Sequence, residues 1–204
     1  MNRYSDFHAR SLADRDAFWR EEAALVEWHA PFERVLDDAK PPFARWFVGG
    51  RTNLCHNAID RHLADRASQP ALVYLSSETG DERRCTYAEL HAEVNRMAAV
   101  LRELGVRRGD RVLVYMPMIP EAAFAMLACA RIGAIHSVVF GGFAANELAT
   151  RFDDCEPVAV LTASCGIETA RVIPYKPLLD KAIELAKHKP TTCIVFQRPQ
   201  ETAQ

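Results

Sequence analysis

Residues 86–116, TYAELHAEVNRMAAVLRELGVRRGDRVLVYM, contain the signals of a complete helix followed by a complete strand. Thr86 and Glu89 have the spacing of a capping box, in which two side chains satisfy backbone N–H groups at a helix N-terminus. A helix over Tyr87–Leu104 would bury one apolar stripe, formed by Leu90, Val94, Met97, Leu101 and Leu104. Gly105 suits its C-terminal end, and the apolar run Arg111–Met116 then predicts a buried strand.

The same alternation of strand and helix is predicted along the rest of the second half of the chain. Short apolar runs bounded by turn residues predict strands at Ala71–Leu75, Ala134–Val139, Val158–Ala163 and Thr192–Phe196. Helices are predicted between them, at Glu121–Arg131, Asn146–Asp154 and Pro177–Lys187. Alternating strands and crossover helices build a parallel sheet that is covered on both faces, so the fold class is α/β.

The first fifty residues have a different pattern. An amphipathic helix is predicted over Ser11–Trp28, and Pro31–Gly50 is rich in proline, glycine and aromatic residues, which favours an irregular segment. A second helix is predicted over Asn53–Asp65, with Leu54, Ala58 and Leu63 facing inward. We therefore expect a helical and irregular N-terminal appendage at 1–50 and an α/β unit at 51–204.

The composition excludes several classes of protein. The 204 residues are 49% hydrophobic and carry a formal net charge of -2, which gives no overall attraction for nucleic acid or for an anionic lipid surface. Arg3, Asp6 and Arg10 stand where a signal peptide needs apolar residues, and no apolar run is long enough to span a bilayer. Six widely spaced cysteines favour reduced thiols, so we expect a cytoplasmic protein without nucleic-acid or membrane partners.

The sequence lacks the motifs of several catalytic classes. It has no G-x-x-x-x-G-K-[ST] phosphate loop, no H-E-x-x-H zinc motif and no G-x-S-x-G nucleophile elbow. His136 lies on an apolar strand, where a core or strand-end histidine is expected rather than a general base. These 204 residues therefore carry no predicted catalytic residue and no metal ligand, and ATP would be handled elsewhere.

Two loops at the carboxyl ends of strands are candidate ligand sites. The turn Phe140-Gly141-Gly142-Phe143 lets the backbone approach a ligand or point N–H groups at an anion; the alternative is a tight strand-to-helix turn. The loop Ser164–Lys176 contains Glu168, Arg171 and Lys176, which could meet a phosphate or a partner, or could form an ordinary solvated loop.

Several short segments resemble the acetyl-CoA synthetase-like branch of the AMP-forming, adenylate-forming enzymes from end to end of the chain. They are YSDF at 4–7, WFVGG at 46–50, TNLC at 52–55, NAIDRHL at 57–63, GDRV at 109–112 and HSVVFGGF at 136–143. Within that branch, three segments look more like propionate-CoA ligases than acetyl-CoA synthetases: ASCGIE at 163–168, RV at 171–172 and YKPLL at 175–179.

The resemblance implies an acid-thiol ligase whose N-terminal part is represented here. Such enzymes condense a carboxylate, here propionate or acetate, with ATP to an acyl-adenylate and pyrophosphate; the CoA thiol then displaces AMP, and Mg²⁺ accompanies the nucleotide. In the family, the phosphate loop, the acyl pocket and the adenylation lysine all follow the segment that corresponds to this chain. We therefore expect the chain alone to be inactive, to bind none of ATP, CoA and Mg²⁺ completely, and to self-associate through uncovered apolar surface.

The resemblance also implies one ligand site. In the family a Phe-Gly-Gly turn and an Arg-x-x-Arg segment border the nucleotide end of CoA, and they correspond to Phe140, Gly141, Gly142 and the segment from Glu168 to Arg171. Arg171 matches the second arginine. Glu168 stands at the position of the first, where an acidic group would repel a CoA phosphate.

Two alternatives from other classes are a stand-alone CoA- or nucleotide-binding module of flavodoxin-like type and an inactive paralogue that acts as an interaction subunit. An acetyl-CoA synthetase is the alternative within the family.

Overall fold

The chain folds into two compact units, Met1–Asn57 and Ala58–Gln204. The structure is a computed structural model, and it describes residues 3–142, 144–169 and 171–203. Among these residues no helix is long and apolar enough to cross a membrane.

The first unit begins with two short helices, α1 (Tyr4–Ala13) and α2 (Arg15–Glu22). The prediction of one helix over Ser11–Trp28 is wrong, because Asp14 interrupts it. The Asp14 backbone is non-helical and its carboxylate accepts a hydrogen bond from the N–H of Ala17 at 3.0 Å, so this residue ends one helix and caps the next.

The segment predicted to be irregular, Pro31–Gly50, forms an antiparallel hairpin of β1 (Arg34–Lys40) and β2 (Phe43–Val48). Its aromatic residues explain the difference, because aromatic side chains favour the half-buried surface of a strand. Phe47 packs within 5.1 Å, centroid to centroid, of Phe32, and Trp46 packs 5.7 Å from Trp19. These ring pairs stabilise a hairpin whose strands have little regular alternation.

The second predicted helix, Asn53–Asp65, is broken into α3 (Leu54–Ala58), a 3-10 turn (Asp60–His62) and α4 (Leu63–Arg66). The break changes which side chains point inward. Leu54 is 64% exposed, contrary to prediction, whereas Cys55 and Ile59 are fully buried.

The second unit is organised around a four-stranded parallel sheet with the strand order β10-β7-β5-β6. Its strands are β5 (Arg111–Met116), β6 (Ile135–Phe140), β7 (Ala159–Ala163) and β10 (Thr192–Phe196), and its helices are α5 (Tyr87–Glu103), α6 (Pro120–Ile132), α7 (Ala145–Cys155) and α8 (Tyr175–Leu185). The α/β prediction with a parallel sheet is confirmed, and the predicted strands and helices of this region differ from the observed ones by at most two residues.

The direction in which successive strands are added reverses within this sheet. The connection through α6 places β6 on one side of β5, and the next connection, through α7, places β7 on the other side. Helix α5 packs on α6, and α7 packs on α8. Leu113 and Tyr115 point from β5 into a core with Leu148 and Phe152 of α7 and Leu179 of α8. A reversal of this kind opens a crevice at the carboxyl ends of the two strands between which it occurs, here β5 and β7.

The strand predicted at Ala71–Leu75 lies outside the parallel sheet. It is β3 (Pro70–Leu75), and it pairs with β4 (Glu82–Thr86) in an antiparallel hairpin. Only six residues separate the two strands, which is too short for a parallel crossover. Strand β4 was not predicted, because its sequence ERRCT has no apolar run.

The loop predicted at Ser164–Lys176 is also a hairpin, of β8 (Cys165–Glu168) and β9 (Arg171–Pro174). His136, which was expected in the core or at a strand end, is an exposed residue of the edge strand β6. An edge strand has a neighbour on one side only, so its side chains are covered less completely than those of the central strand β5.

The capping signals behave as the sequence predicts. The hydroxyl of Thr86 accepts a hydrogen bond from the N–H of Glu89 at 3.2 Å, and the carboxylate of Glu89 accepts one from the N–H of Thr86 at 2.8 Å. The bond from the Thr86 N–H lowers the pKa of Glu89 most, and a bond from the Thr86 hydroxyl to the same carboxylate, at 2.9 Å, lowers it further. Pro120 begins α6, and Gly133 ends it with a left-handed φ of 77°.

A tyrosine at the start of α8 packs between two glycines. The ring of Tyr175 stacks on Tyr115, with 4.8 Å between centroids. A Cβ on Gly141 would lie 2.0 Å from the Tyr175 hydroxyl oxygen, and a Cβ on Gly166 would lie 2.4 Å from it. Both positions therefore require glycine while Tyr175 is present.

We predict that Thr86→Ala lowers the stability of the chain by about 1 kcal/mol, because it removes the N-cap acceptor of α5. Thr150→Ala is the matched control, since Thr150 is exposed within α7 and caps no helix. Thermal or urea unfolding of both variants measures the difference. Equal effects of the two substitutions would contradict a specific role for the cap.

We predict that Gly166→Ala destabilises the chain by about 1–3 kcal/mol, the usual cost of overpacking, and that Tyr175→Leu in the same chain recovers part of the loss. The reason is that the added methyl group meets the Tyr175 ring, whose nearest carbons lie 2.6 Å from the position that this Cβ would occupy. A double-mutant cycle from urea unfolding measures the coupling, and strictly additive effects would show that the glycine is required for another reason.

Candidate functional site

A cavity of about 470 Å³ lies at the carboxyl ends of β5 and β6. Its walls are the segment Met116–Ile119 after β5, the glycine turn after β6, the β3–β4 hairpin and the end of β8. Open α/β sheets bind their ligands at this end of the sheet, outside the carboxyl ends of the strands. The segment after Met116, which carries no recognisable sequence signal, thus forms part of the candidate site.

Three of the five predicted ligand residues line this cavity, namely Gly141, Gly142 and Glu168. Phe140 is the last residue of β6, and its side chain lies outside the described part of the structure. Arg171 begins β9, opposite Glu168 in the β8–β9 register, and is exposed near the cavity rather than in its wall. The structure therefore brings the predicted turn and hairpin together at one end of the sheet.

The two glycines of the turn have different environments. Gly141 is buried, its carbonyl accepts a hydrogen bond from the Tyr115 hydroxyl at 3.2 Å, and Tyr175 occupies the space beside its Cα. Gly142 is exposed and lines the cavity. The close approach of Tyr175 to Gly141 is thus a packing contact within the protein. Gly142 is the glycine at which a ligand could contact the backbone.

The β8–β9 hairpin presents opposite charges at its tip. Glu168 and Arg171 are both exposed, and Thr169 in the turn between them has a left-handed φ of 47°. Within the described residues, neither side chain forms an ion pair within 4.0 Å. The guanidinium of Arg171 is therefore available to an anion. Lys176, the third charged residue of the predicted loop, is paired with Asp180 at 2.8 Å on α8.

Tyr175 is a wall residue that the sequence singles out only as part of a resemblance. It is 3% exposed. Burial raises the pKa of Tyr175 to about 12; the charge of Glu168 raises this pKa further, and the charge of Arg198 lowers it. The hydroxyl therefore stays protonated and can donate a hydrogen bond.

Arg198, beyond the end of β10, is a second wall residue, and no sequence pattern indicated it. It is 7% exposed, its N–H donates to the Ser164 hydroxyl at 2.8 Å, and its guanidinium donates to the Cys165 carbonyl at 3.0 Å. The Ser164 hydroxyl in turn donates to the carbonyl of Glu201. The segment around Arg198 looks like a polar tail in sequence, and only these tertiary contacts show that it is fixed against β8.

The remaining walls are mixed in character. Glu78 of the β3–β4 turn is exposed at the rim; its pKa is lowered, first by a backbone hydrogen bond and least by the charge of Arg198. Met116, Ile119 and Val139 form a buried apolar wall. In the described residues, no group of three or more His, Cys, Asp or Glu side chains could hold a metal ion.

A second cavity, of about 500 Å³, lies between α5 and α6 near Arg102, Arg107 and Arg108. It adjoins the C-terminal ends of the two helices and the amino-terminal end of β5, where α/β sheets do not usually bind ligands. We therefore regard the cavity beside the glycine turn as the candidate site.

Known families match almost all of this chain. The family described as "AMP-binding enzyme" matches residues 59–204, and the family described as "Acetyl-coenzyme A synthetase N-terminus" matches residues 4–58.

Individual relatives agree with these matches. Propionate--CoA ligase of Escherichia coli (strain K12) is 54% identical over 195 residues, which cover 96% of this chain and 31% of that protein. The mitochondrial acyl-CoA synthetase short-chain family member 3 of Rattus norvegicus is 45% identical over 197 residues, which cover 96% of this chain and 29% of that protein. The chain thus spans about a third of the length of these relatives.

A solved structure has the same fold. Acetoacetyl-CoA synthetase from Streptomyces lividans matches with a TM-score of 0.86 and 34% identity, over 100% of this chain and 31% of that one. The resemblance seen in the sequence is therefore confirmed: the chain belongs to the AMP-binding enzyme family, and it begins with the N-terminal segment of the acetyl-CoA synthetase-like branch.

Proposed function

We propose that this chain forms the N-terminal part of an AMP-forming short-chain acyl-CoA synthetase that converts propionate, ATP and CoA to propionyl-CoA, AMP and pyrophosphate. The observation that carries the proposal is 54% identity to a propionate--CoA ligase across 96% of the chain. The cavity at the end of β5 and β6 supports it, since it lies where this class of fold binds its ligand.

The chemistry of such a ligase divides between two half-reactions. A carboxylate resists attack because its negative charge repels nucleophiles and it has no leaving group; joining it to AMP supplies the leaving group, which a thiol then displaces. ATP and Mg²⁺ would serve the first half-reaction. None of the described residues forms a metal cluster and the 204 residues contain no phosphate-loop motif, so we assign no catalytic residue here.

We assign the nucleotide end of CoA to Phe140, Gly141, Gly142, Glu168 and Arg171. Exposed Gly142 offers its backbone, and the guanidinium of Arg171, which has no ion pair within the described residues, can pair with a phosphate. Gly141 acts indirectly, by accommodating Tyr175. Glu168 opposes an anionic ligand, but it is exposed and therefore screened by solvent.

The proposal includes further points that rest on the relatives or on composition. Propionate is favoured over acetate because E. coli and Salmonella relatives more than half identical to this chain are named Propionate--CoA ligase. Residues 1–50 would be the appendage and 51–204 the first part of the large AMP-binding domain. A cytoplasmic location is consistent with six cysteines that form no disulfide within the described residues.

We predict that the purified 204-residue chain does not catalyse propionate- or acetate-dependent exchange of pyrophosphate into ATP. The chain has no phosphate-cradling loop that could hold the nucleotide's phosphates. Radiolabelled pyrophosphate exchange is the measurement. Exchange well above that of a heat-denatured sample would contradict the prediction.

We predict that Arg171→Ala, in a complete ligase that contains this segment, raises the KM for CoA roughly ten- to hundredfold. The expected magnitude is the loss of one charge-assisted contact, about 1.5–3 kcal/mol. The rate of propionate-dependent pyrophosphate exchange, which does not need CoA, is expected to stay close to that of the unmodified enzyme.

Arg102→Ala is the matched control, because Arg102 is an exposed arginine in the last turn of α5, outside the candidate cavity. It is expected to leave both the KM for CoA and the exchange rate unchanged. A loss of exchange in Arg171→Ala with an unchanged KM for CoA would place Arg171 in the first half-reaction or in the fold.

A further inference from the structure

Two side chains form a buried polar floor beneath the glycine turn. Tyr175 is 3% exposed and Arg198 is 7% exposed, yet both line the cavity beside Gly141 and Gly142. A polar group that lines a cavity can be paired by water or by a ligand. Their remaining hydrogen-bonding capacity therefore indicates what the cavity binds.

The hydroxyl of Tyr175 forms no hydrogen bond with any described residue, although the neighbouring Tyr115 hydroxyl is bonded to the carbonyl of Gly141. Gly141 and Gly166 pack closely against this oxygen, since a Cβ on either residue would lie within 2.4 Å of it. The position of this donor is thus fixed by packing, and not by a hydrogen bond.

The guanidinium of Arg198 also has hydrogen-bond donors without a partner among the described residues. It donates to the Cys165 carbonyl at 3.0 Å, whereas a guanidinium has five N–H donors in a planar fork. Within the described residues no carboxylate lies within 4.0 Å of it. A buried arginine without a carboxylate partner has a charge that an anionic ligand can neutralise.

The acidic groups of the cavity lie elsewhere. Glu78 and Glu168 are both exposed, at the rim, where water weakens their fields. The floor therefore has one neutral hydrogen-bond donor, the Tyr175 hydroxyl, and one cationic donor, the Arg198 guanidinium. The two carboxylates lie at the rim of the cavity.

We propose that the Tyr175 hydroxyl and the Arg198 guanidinium together bind an oxyanion of a substrate, a phosphate or a carboxylate, at the floor of this cavity. The geometry favours an oxyanion because both groups can donate hydrogen bonds and one carries a positive charge, which would repel a cation. The inference rests on the proposed function, since it takes the ligand to be a substrate of the ligase.

The experiment uses a complete ligase that contains this segment, with the variants Tyr175→Phe, Arg198→Lys and Arg198→Gln. The KM values for the carboxylate, for ATP and for CoA are measured separately, the first two by pyrophosphate exchange. Tyr175→Phe keeps the ring that stacks on Tyr115 and removes only the oxygen. Tyr87→Phe, at the start of α5 and outside the cavity, is the control for loss of a tyrosine hydroxyl.

We expect one and the same KM to rise in all three variants, about two- to tenfold in Tyr175→Phe and roughly ten- to hundredfold in Arg198→Gln. Arg198→Lys is expected to have an intermediate effect, because it keeps the charge and loses the planar fork of N–H donors.

A rise in the KM for CoA assigns the oxyanion to a CoA phosphate, and a rise in the KM for the carboxylate assigns it to the acyl substrate. Dephospho-CoA, which lacks the 3′-phosphate, tests whether that phosphate is the group bound.

The inference is overturned if Tyr175→Phe and Arg198→Lys leave all three KM values unchanged, whether or not their melting temperatures fall, because the two side chains would then serve packing only. Arg171→Ala separates this outcome from failure of the CoA assignment. If Arg171→Ala raises the KM for CoA and the floor variants have no effect, only the floor proposal fails. If the floor variants raise the KM for the carboxylate and Arg171→Ala has no effect, the CoA assignment fails and the floor proposal stands.

Discussion

The burial of β5 between two parallel neighbours is the constraint on which the second unit depends. Five of its six residues are buried, so both faces must be covered by helices. The chain meets this requirement by moving to one side of β5 through α6 and to the other through α7, after β6. The loop that follows β5 leads to α6 and the loop that follows β6 leads to α7, and both loops line the cavity at this end of the sheet. The location of the site is thus a consequence of covering one apolar strand.

The same packing requirement shapes the turn beside the cavity. Tyr175 stacks on Tyr115 of the central strand, and its hydroxyl reaches between Gly141 and Gly166, which come from different parts of the chain. The conformation of the turn is therefore linked to the core through a tyrosine, and glycine at position 141 has a structural reason that is independent of any ligand. A single residue of the core positions the wall of the candidate site.

Local signals in the sequence were sufficient for the parallel sheet and for the helices around it. The capping box at Thr86, the proline at 120 and the glycine at 133 mark helix ends through interactions within a few residues, so they can be recognised without the fold. The hairpins were missed because their strands are short and polar, as in ERRCT, or interrupted by turn residues. Tyr175 and Arg198 were missed as site residues because their burial comes from contacts with residues distant in sequence.

Burial and the number of charges both determine the electrostatic character of the cavity. Glu78 and Glu168 outnumber Arg198, and a count alone would favour a cationic ligand. The interaction between two charges is roughly four times stronger at an effective dielectric constant of about 20 than in bulk water near 80. The guanidinium lies in the less polarisable environment and is fixed by a backbone carbonyl, whereas the carboxylates stand in solvent. An anion at the floor is therefore attracted by the buried arginine, while Glu168, whose charge raises the pKa of Tyr175 more than Arg198 lowers it, opposes an anion there.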